Sequence, residues 1–330
     1  MTGVQTCALP IYFNPVLDLA RQPMWPRVFE TFGEDAYIAS VMGAAYIRAQ
    51  QGDDLTRSDK VATCMKHYLG YSMPRSGRDR TPAYIPDREL RQHYVKPFAA
   101  AVRAGTVTCM VNSSEINGVP VHSSEFYLTD LLRGELGFEG FVVSDWGAVN
   151  DRVKGVAAGL ELEMPGTGGR NDRKLVQAVE SGKLDEKILD QACERVLRVV
   201  FDSIEKKQNP PKYDREKEHL LARNLARETM VLLKNEGNIL PLKKDKKYAF
   251  IGAYAKTPRY QGGGSSHINS YKVVGAWDAA TDIQKEYAKG YQDGITEDQK
   301  LISEAVETAR KADIAIVFAG LPEVYESEGF

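Results

Sequence analysis

An apolar run at residues 140–147 ends in a carboxylate, Asp145, and an indole, Trp146. Buried parallel strands are rich in β-branched residues, and in an α/β barrel the residues at their C-terminal ends face the active site. Asp145 therefore stands where a nucleophile would stand. The alternative is that Asp145 caps the following helix. Trp146 either packs in a core or forms a platform for the face of a pyranose ring.

Positively charged groups lie at the ends of other predicted elements. Lys66 and His67 follow a predicted strand at 61–65. At the rim of a barrel, an ammonium and an imidazole can donate hydrogen bonds to adjacent hydroxyl groups. Arg78 lies in a glycine-bearing loop, where a surface turn with a salt bridge is an equal alternative, and Arg27 is similarly ambiguous. Together with the strand-end carboxylate, these residues predict a site for a sugar.

The composition is that of an ordinary soluble globular protein. The chain has 330 residues, of which 43% are hydrophobic and 27% are charged, and its formal net charge is -2. This length is sufficient for two cores. The one concentrated basic run, at 243–247, contains an acid and precedes a strand, which favours a solvated turn over a nucleic-acid site. No segment of the sequence is long and apolar enough to span a membrane.

The four cysteines, Cys7, Cys64, Cys109 and Cys193, have no metal-ligand spacing. The last three lie in apolar segments, which predicts buried free thiols. We therefore expect no metal site. Cysteine usage of this kind is typical of a reducing interior, so a cytoplasmic location is predicted unless an export signal precedes the chain.

Apolar runs alternate with amphipathic helices along the chain in a βα repetition. Helices are predicted at 36–51, 88–104, 128–137, 172–181, 185–204 and 219–235, and strands at 61–65, 106–111, 141–143, 248–252 and 314–320. The double proline within 206–212 breaks the pattern as a linker would. The sequence thus predicts an α/β protein with a domain boundary near this linker.

Both ends of the sequence are predicted to be cut. Residues 1–11 have neither the basic start nor the long apolar core of a secretory signal, and we interpret them as an assembly scar. The chain stops soon after its last predicted strand, whereas an open α/β sheet needs several strands to bury its faces. The predicted organisation is a scar at 1–11, a first domain at 12–205, a linker at 206–218 and a second domain at 219–330.

Several motifs, in their order along the chain, resemble those of the family 3 glycoside hydrolases of the β-glucosidase type. They lie at 15–21, 30–35, 66–68, 116–120, 137–146 and 161–165, and beyond the linker at 231–235, 240–242, 262–266 and 325–330. The block that contains Asp145 is specific. The resemblance covers nearly the whole chain after residue 11. It implies a partial (β/α)8-like barrel domain followed by an incomplete α/β sandwich domain.

The resemblance also implies roles for single residues. Asp145 is the catalytic nucleophile, and Glu328 is the acid/base. The residues that bind the sugar are Arg27, Lys66, His67, Arg78 and Trp146. Glu326 stays an alternative acid/base, because residues two apart in an extended segment face the same way. Glu163 is either a residue at the rim of the site or a solvent contact at a helix end.

The implied reaction is retaining, exo-acting hydrolysis that releases a terminal β-D-glucose, or a similar β-linked pyranose, from an oligosaccharide or a glucoside. Two carboxyl groups roughly 5 Å apart suit this reaction, because one attacks the anomeric carbon while the other protonates the leaving oxygen. The reaction requires no metal or other cofactor. A β-xylosidase of the same family is one alternative, and a catalytically inactive fragment that at most binds carbohydrate is another.

Two departures from the family pattern are visible. Ser113 stands where many members carry an aromatic residue that orients the nucleophile, and Glu115 is the candidate to replace it. The family's first strands, with an aspartate that binds the distal sugar hydroxyls, are missing upstream of Tyr12.

The glycine run at 262–266 lacks both the Walker lysine and the GxGxxG spacing, which disfavours a nucleotide-binding domain. The sequence leaves the oligomeric state open.

Overall fold

The computed structural model describes residues 11–204, 212–292, 294, 296–325, 327 and 328. Contacts between residues divide the chain into two compact units. The first contains Met1–Pro211 with Glu328–Phe330, and the second contains Lys212–Ser327. The division falls beside the double proline of the predicted linker.

Three sequence-based interpretations fall wholly or partly outside the described residues. They concern residues 1–10 of the predicted scar, residues 205–211 at the predicted linker, and the alternative acid/base Glu326. The last residue of the predicted scar, Ile11, is described and pairs with Ala62 in a parallel sheet.

The strands of the first unit build one parallel sheet and one hairpin. They are β1 (Ile11–Tyr12), β2 (Ala62–Tyr68), β3 (Thr108–Val111), β4 (Glu115–Ile116), β5 (Val119–Pro120) and β6 (Phe141–Val143). The parallel sheet has the order β1, β2, β3, β6, and β4 pairs antiparallel with β5. A parallel bridge from Val143 to Leu162 extends the sheet beyond β6. Parallel strands that follow one another in sequence and lie side by side are the arrangement found in α/β barrels.

Helices separate these strands along the chain. They are α1 (Ala36–Gln50), α2 (Asp87–Glu89), α3 (Val95–Arg103), α4 (Arg152–Ala158), α5 (Arg170–Glu180) and α6 (Glu186–Ile204). A π-helical turn, Leu90–Tyr94, joins α2 to α3, and the helix predicted at 128–137 is the π-helical segment Phe126–Glu135. Helix α1 begins at its predicted residue because the Asp35 carboxylate accepts hydrogen bonds from the Tyr37 and Ile38 N–H groups at 2.6 and 3.1 Å.

Alternating residues of the parallel strands bury both faces of the sheet. On one face, Cys109 of β3 and Val142 of β6 belong to the same cluster as Phe98 of α3. On the other face, Met110 and Phe141 belong to a second cluster. Successive side chains of a strand point to opposite faces, so a short apolar run such as β6 serves both cores.

The second unit contains a parallel three-stranded sheet in its described part. Its strands are β7 (Lys247–Ile251), β8 (Gln284–Ala288) and β9 (Ile314–Val317), and its helices are α7 (Arg215–Glu228), α8 (Ala276–Ala279) and α9 (Gln299–Arg310). The strand order is β8, β7, β9. Tyr248 and Phe250 of the central strand β7 form the centre of its core with Ala255.

The helix predicted at 219–235 is displaced towards the N-terminus in the structure. Helix α7 begins at Arg215, because the Asp214 side chain accepts hydrogen bonds from the N–H groups of Glu216 and Lys217. The helix ends at Glu228, where the Thr229 hydroxyl donates to the carbonyl of Ala226. The apolar residues 230–233 that extended the predicted pattern therefore lie outside the helix, and all of them are exposed.

The prediction of buried thiols is confirmed for Cys64 and Cys109 and is wrong for Cys193, which is exposed on α6. The apolar residues around Cys193 alternate with polar ones on an amphipathic helix, so only part of the segment is buried. Cys7 lies outside the described residues. None of the described helices is long and apolar enough to cross a membrane.

Candidate active site

Asp145 lies at the carboxyl end of β6, two residues after the strand ends. One carboxylate oxygen, Oδ1, accepts a hydrogen bond from the Trp146 N–H at 2.7 Å. The other oxygen, Oδ2, is buried and has no hydrogen-bond partner among the described residues. The whole residue is only 7% exposed. A buried carboxylate oxygen without a partner is costly, and such groups occur where a ligand or a reaction uses them.

The alternative role of Asp145, as the cap of the following helix, is wrong. The cap of α4 is Asp151, whose Oδ1 accepts the Lys154 N–H at 3.1 Å. The five residues between Asp145 and Asp151 place the strand-end carboxyl outside this helix. Its only hydrogen bond among the described residues is to the adjacent Trp146 N–H.

The surroundings of Asp145 act on its charge in opposite directions. Burial raises the pKa of the Asp145 carboxyl above its ordinary value. The hydrogen bond from Trp146 and three positive charges oppose this rise without cancelling it. The three charges belong to Arg27, Lys66 and Arg80. Positive charge around a buried carboxyl favours the ionised form that a nucleophile requires.

Lys66 and His67 are part of β2, which continues three residues beyond its predicted end to Tyr68. The Lys66 ammonium makes no hydrogen bond or ion pair with any described residue. His67 is 1% exposed, and its main-chain N–H donates to Asp18 Oδ2 at 3.0 Å. The His67 ring nitrogen Nδ1 lies 2.8 Å from the same oxygen.

Arg27 is buried and held by a double hydrogen bond. Its Nε and Nη2 donate to the two carboxylate oxygens of Glu30 at 2.7 and 2.9 Å. Its guanidinium carbon lies 5.7 Å from the centre of the Tyr71 ring. Glu328, which belongs to the first unit by its contacts, places Oε1 3.6 Å from Arg27 Nη2. The structure therefore brings Arg27 and Glu328, two of the predicted site residues, to one place.

The Asp79 carboxylate holds two aromatic residues near Arg27 in place. Asp79 accepts hydrogen bonds from the Trp25 indole at 2.6 Å and from the Tyr71 hydroxyl at 2.7 Å. The Tyr71 ring makes edge contacts with Trp25 and with His67, at centroid distances of 5.3 and 5.0 Å. One buried carboxyl thus fixes the ring that packs against both Arg27 and His67.

The other predicted site residues are less closely connected. Arg78 is exposed and forms no side-chain hydrogen bond or ion pair within the described structure, whereas the charge of the nearby Arg80 acts on Asp145. Trp146 is 39% exposed, and its ring makes an edge contact with Phe13 at 5.3 Å. A partly exposed indole beside a carboxyl is consistent with a platform for a sugar face.

Two further acidic residues form no hydrogen bond with the Asp145 carboxylate in the described structure. Glu163 accepts a hydrogen bond from the Asn171 amide at 2.8 Å and lies 3.8 Å from Arg152 Nε, which favours a structural role. Glu115 lies in β4 and makes no side-chain hydrogen bond to any described residue. Because no hydrogen bond joins Glu115 to the Asp145 carboxylate in the described structure, the substitution of Glu115 for the aromatic residue stays a prediction.

Sequence reasoning missed four residues that hold the site together. They are Asp18, Glu30, Tyr71 and Asp79. Asp18 carried a detectable signal, because it is a single acid inside the apolar run 16–19. Such an acid needs a buried partner, and the partner here is His67. Within the described part of the chain, no group of three or more His, Cys, Asp or Glu side chains could hold a metal ion.

The comparisons with known proteins assign the family. Residues 4–199 match the glycosyl hydrolase family 3 N terminal domain, and residues 230–330 match the glycosyl hydrolase family 3 C-terminal domain. The chain belongs to glycosyl hydrolase family 3. The α/β fold with a barrel-like N-terminal domain is confirmed by this assignment and by the structural neighbours.

Individual relatives show the same likeness. The chain is 43% identical to thermostable beta-glucosidase B of Acetivibrio thermocellus, over 97% of this chain and 42% of the relative. It is 37% identical to an exo-alpha-(1->6)-L-arabinopyranosidase of Bifidobacterium breve, over 97% of this chain and 43% of the relative. The GH3 beta-glucosidase of Bifidobacterium adolescentis superposes with a TM-score of 0.87 at 36% identity, covering 97% of this chain and 47% of that structure. The chain thus spans less than half the length of these relatives.

Proposed function

We propose that this chain carries the nucleophile domain of a retaining, exo-acting β-glucosidase, with Asp145 as the nucleophile and Glu328 as the acid/base. The observation that carries the proposal is the buried Asp145 Oδ2, which has no hydrogen-bond partner among the described residues. Positive charges of Arg27 and Lys66 act on this carboxyl and favour its ionised form. Family membership and the beta-glucosidase relatives support a glucoside as the substrate.

The proposed reaction has two steps. In the first, Asp145 Oδ2 attacks the anomeric carbon of a β-glucoside, the bond to the leaving oxygen breaks, and the Glu328 carboxylic acid gives its proton to that oxygen. In the second, the Glu328 carboxylate takes a proton from water, whose oxygen attacks the anomeric carbon and releases Asp145. Each step inverts the anomeric carbon, so the released glucose keeps the β configuration.

The remaining polar groups would bind the sugar. Lys66 has an ammonium with no other described partner, which leaves its three donors for hydroxyl groups. Arg27 is held rigidly by Glu30, so its remaining N–H groups have a defined direction. The partly exposed Trp146 ring is suited to contact a sugar face. Arg78 is placed with this group on the family resemblance alone.

The test of the proposal is to trap the covalent intermediate. The purified chain is incubated with an activated 2-deoxy-2-fluoro-β-glucoside, whose fluorine slows both steps while its good leaving group keeps the first step fast enough for the intermediate to accumulate. We expect one glycosyl group per chain by intact mass, located on the peptide that contains Asp145. A label on another carboxyl would overturn the assignment of the nucleophile. A folded chain without any label would favour the alternative of an inactive carbohydrate-binding fragment. Parallel incubations with the corresponding xylose and arabinose reagents test which sugar the site accepts.

Lys66→Met is expected to shift the acidic limb of the pH profile of kcat/KM towards higher pH. This limb reports the ionisation of the nucleophile in the free enzyme. Burial already raises the pKa of Asp145, and the charge of Lys66 opposes that rise, so its removal raises the pKa further. The measurement is kcat/KM for an aryl β-glucoside against pH. Lys96→Met, on the exposed surface of α3, is the matched control, and an unshifted limb in the Lys66 variant would contradict the electrostatic argument.

A further inference from the structure

Asp18 and His67 form a buried pair that the proposed reaction does not use directly. They lie 49 residues apart in sequence. The side chains of both are 1% exposed. A single oxygen, Asp18 Oδ2, is 3.0 Å from the His67 main-chain nitrogen and 2.8 Å from ring nitrogen Nδ1. Two contacts to one carboxylate oxygen fix both the backbone and the ring of His67.

This geometry determines which ring nitrogen of His67 carries the proton. An ionised carboxylate only accepts hydrogen bonds, so Nδ1 must be the donor and carry hydrogen. In a neutral ring the other nitrogen, Nε2, then has a lone pair and no hydrogen. Nε2 makes no hydrogen bond with any described residue.

The surroundings favour a neutral ring. Burial, and after it the positive charges of Arg27, Lys66 and Arg80, hold the pKa of His67 well below its ordinary value. Burial raises the pKa of Asp18 to about 7, against a weaker lowering by the His67 N–H and by nearby cations. Above that pH the pair therefore consists of an Asp18 carboxylate and a neutral His67 with its proton on Nδ1.

We propose that Asp18 is a positioning residue that fixes His67 as the Nδ1–H tautomer, so that Nε2 accepts a hydrogen bond from a hydroxyl group of the bound ligand. His67 and Lys66 then make opposite demands: the imidazole requires a hydroxyl that donates, whereas the ammonium can only donate to an acceptor. That the hydroxyl belongs to a sugar rests on the proposed function. The assignment of the Nδ1–H tautomer does not depend on the proposed function.

The first test is the two-bond proton–nitrogen correlation spectrum of the full chain labelled with ¹⁵N-histidine. The chain has five histidines, and the signals of His67 are assigned by their loss in His67→Gln. At about pH 8, roughly one unit above the pKa of Asp18, we expect a protonated Nδ1 and an unprotonated Nε2. A protonated Nε2, or a charged ring, would overturn the proposal without reference to any substrate.

Two substitutions of Asp18 then separate its role from packing. Asp18→Leu keeps the volume and removes the acceptor, and we expect the Nε2–H tautomer to become populated. Asp18→Asn keeps one oxygen that can accept both bonds, and we expect it to retain the wild-type tautomer. An unchanged tautomer in the folded leucine variant would show that Asp18 does not set it. If the leucine variant fails to fold, the wild-type spectrum still tests whether His67 is the Nδ1–H tautomer. The asparagine variant still tests whether an oxygen acceptor at residue 18 maintains that tautomer.

The consequence for the ligand is tested with glucose analogues at the same pH. At the hydroxyl that faces His67, the deoxy and deoxyfluoro analogues are expected to bind about tenfold more weakly than glucose, and to an equal extent, because fluorine cannot donate. At the other positions the deoxyfluoro analogue should bind better than the deoxy analogue. If glucose binds but no position shows the equal loss, the role of Nε2 as an acceptor is wrong. If glucose fails to bind, the proposed function fails and the tautomer result still stands.

Discussion

Asp145→Ala is expected to lower kcat/KM for an aryl β-glucoside by at least about 10⁴-fold, because it removes the group that forms the covalent intermediate. The loss should fall on kcat rather than on KM, since the sugar-binding groups remain. The fold should be preserved, because only one carboxylate oxygen of Asp145 has a hydrogen bond among the described residues, and that bond is to the adjacent main-chain N–H. The measurement is steady-state kinetics together with circular dichroism of the variant.

Two controls make this result specific. Asp130→Ala removes an exposed carboxyl that forms no side-chain hydrogen bond within the described structure, and it should retain wild-type activity. Addition of azide to the Asp145→Ala variant should restore turnover and yield the α-glucosyl azide, because azide then attacks from the face that the carboxylate occupied. If the alanine variant without azide keeps activity within tenfold of wild type, the assignment of Asp145 as the nucleophile is wrong.

Glu328→Ala is expected to lower turnover of glucosides with poor leaving groups by about 10²- to 10⁴-fold, the usual contribution of a general acid. A glucoside with a good leaving group, such as a dinitrophenyl glucoside, needs no protonation of the departing oxygen. Its first step should therefore remain fast, and a burst of the phenolate should precede a slow second step. The alkaline limb of the pH profile should disappear, since this limb reports the proton on the acid.

The matched control is Glu326→Ala, two residues away in the same acidic segment. We expect Glu326→Ala to keep both the wild-type dependence on the leaving group and the alkaline limb. The structure supports Glu328 because its carboxylate lies 3.6 Å from the buried Arg27 guanidinium. If the dependence on the leaving group changes in the Glu326 variant instead, the role of acid/base belongs to Glu326.

Strong local patterns predicted several elements well. The strand predicted at 141–143 is β6, because a short β-branched run next to glycine has few other stable conformations. Helix α1 was predicted within one residue, since Asp35 caps it. The end of β2 was missed by three residues because Lys66 and His67 interrupt its apolar pattern. The strand continues there, as Tyr68 pairs with Val111 and His67 is neutralised by burial beside Asp18.

The site was predicted less completely than the elements. The sequence indicated Asp145, Lys66 and His67 through their positions next to predicted strands, and the structure places them there. It indicated Arg78 equally, but that side chain is exposed and the charge of Arg80 acts on the site instead. In an irregular loop no periodicity relates sequence position to direction, so two arginines of one loop cannot be distinguished by pattern.

The sequence by itself determined the βα repetition, the placement of the main strands and the carboxyl that follows β6, because apolar periodicity and helix caps act over a few residues. Only the tertiary structure decided which polar groups share a partner. Asp18 with His67, Trp25 with Asp79, and Arg27 with Glu328 are pairs whose members are distant in sequence. Burial makes an unpaired polar group costly, so such partners are required, but their identity depends on how the strands and loops align in three dimensions.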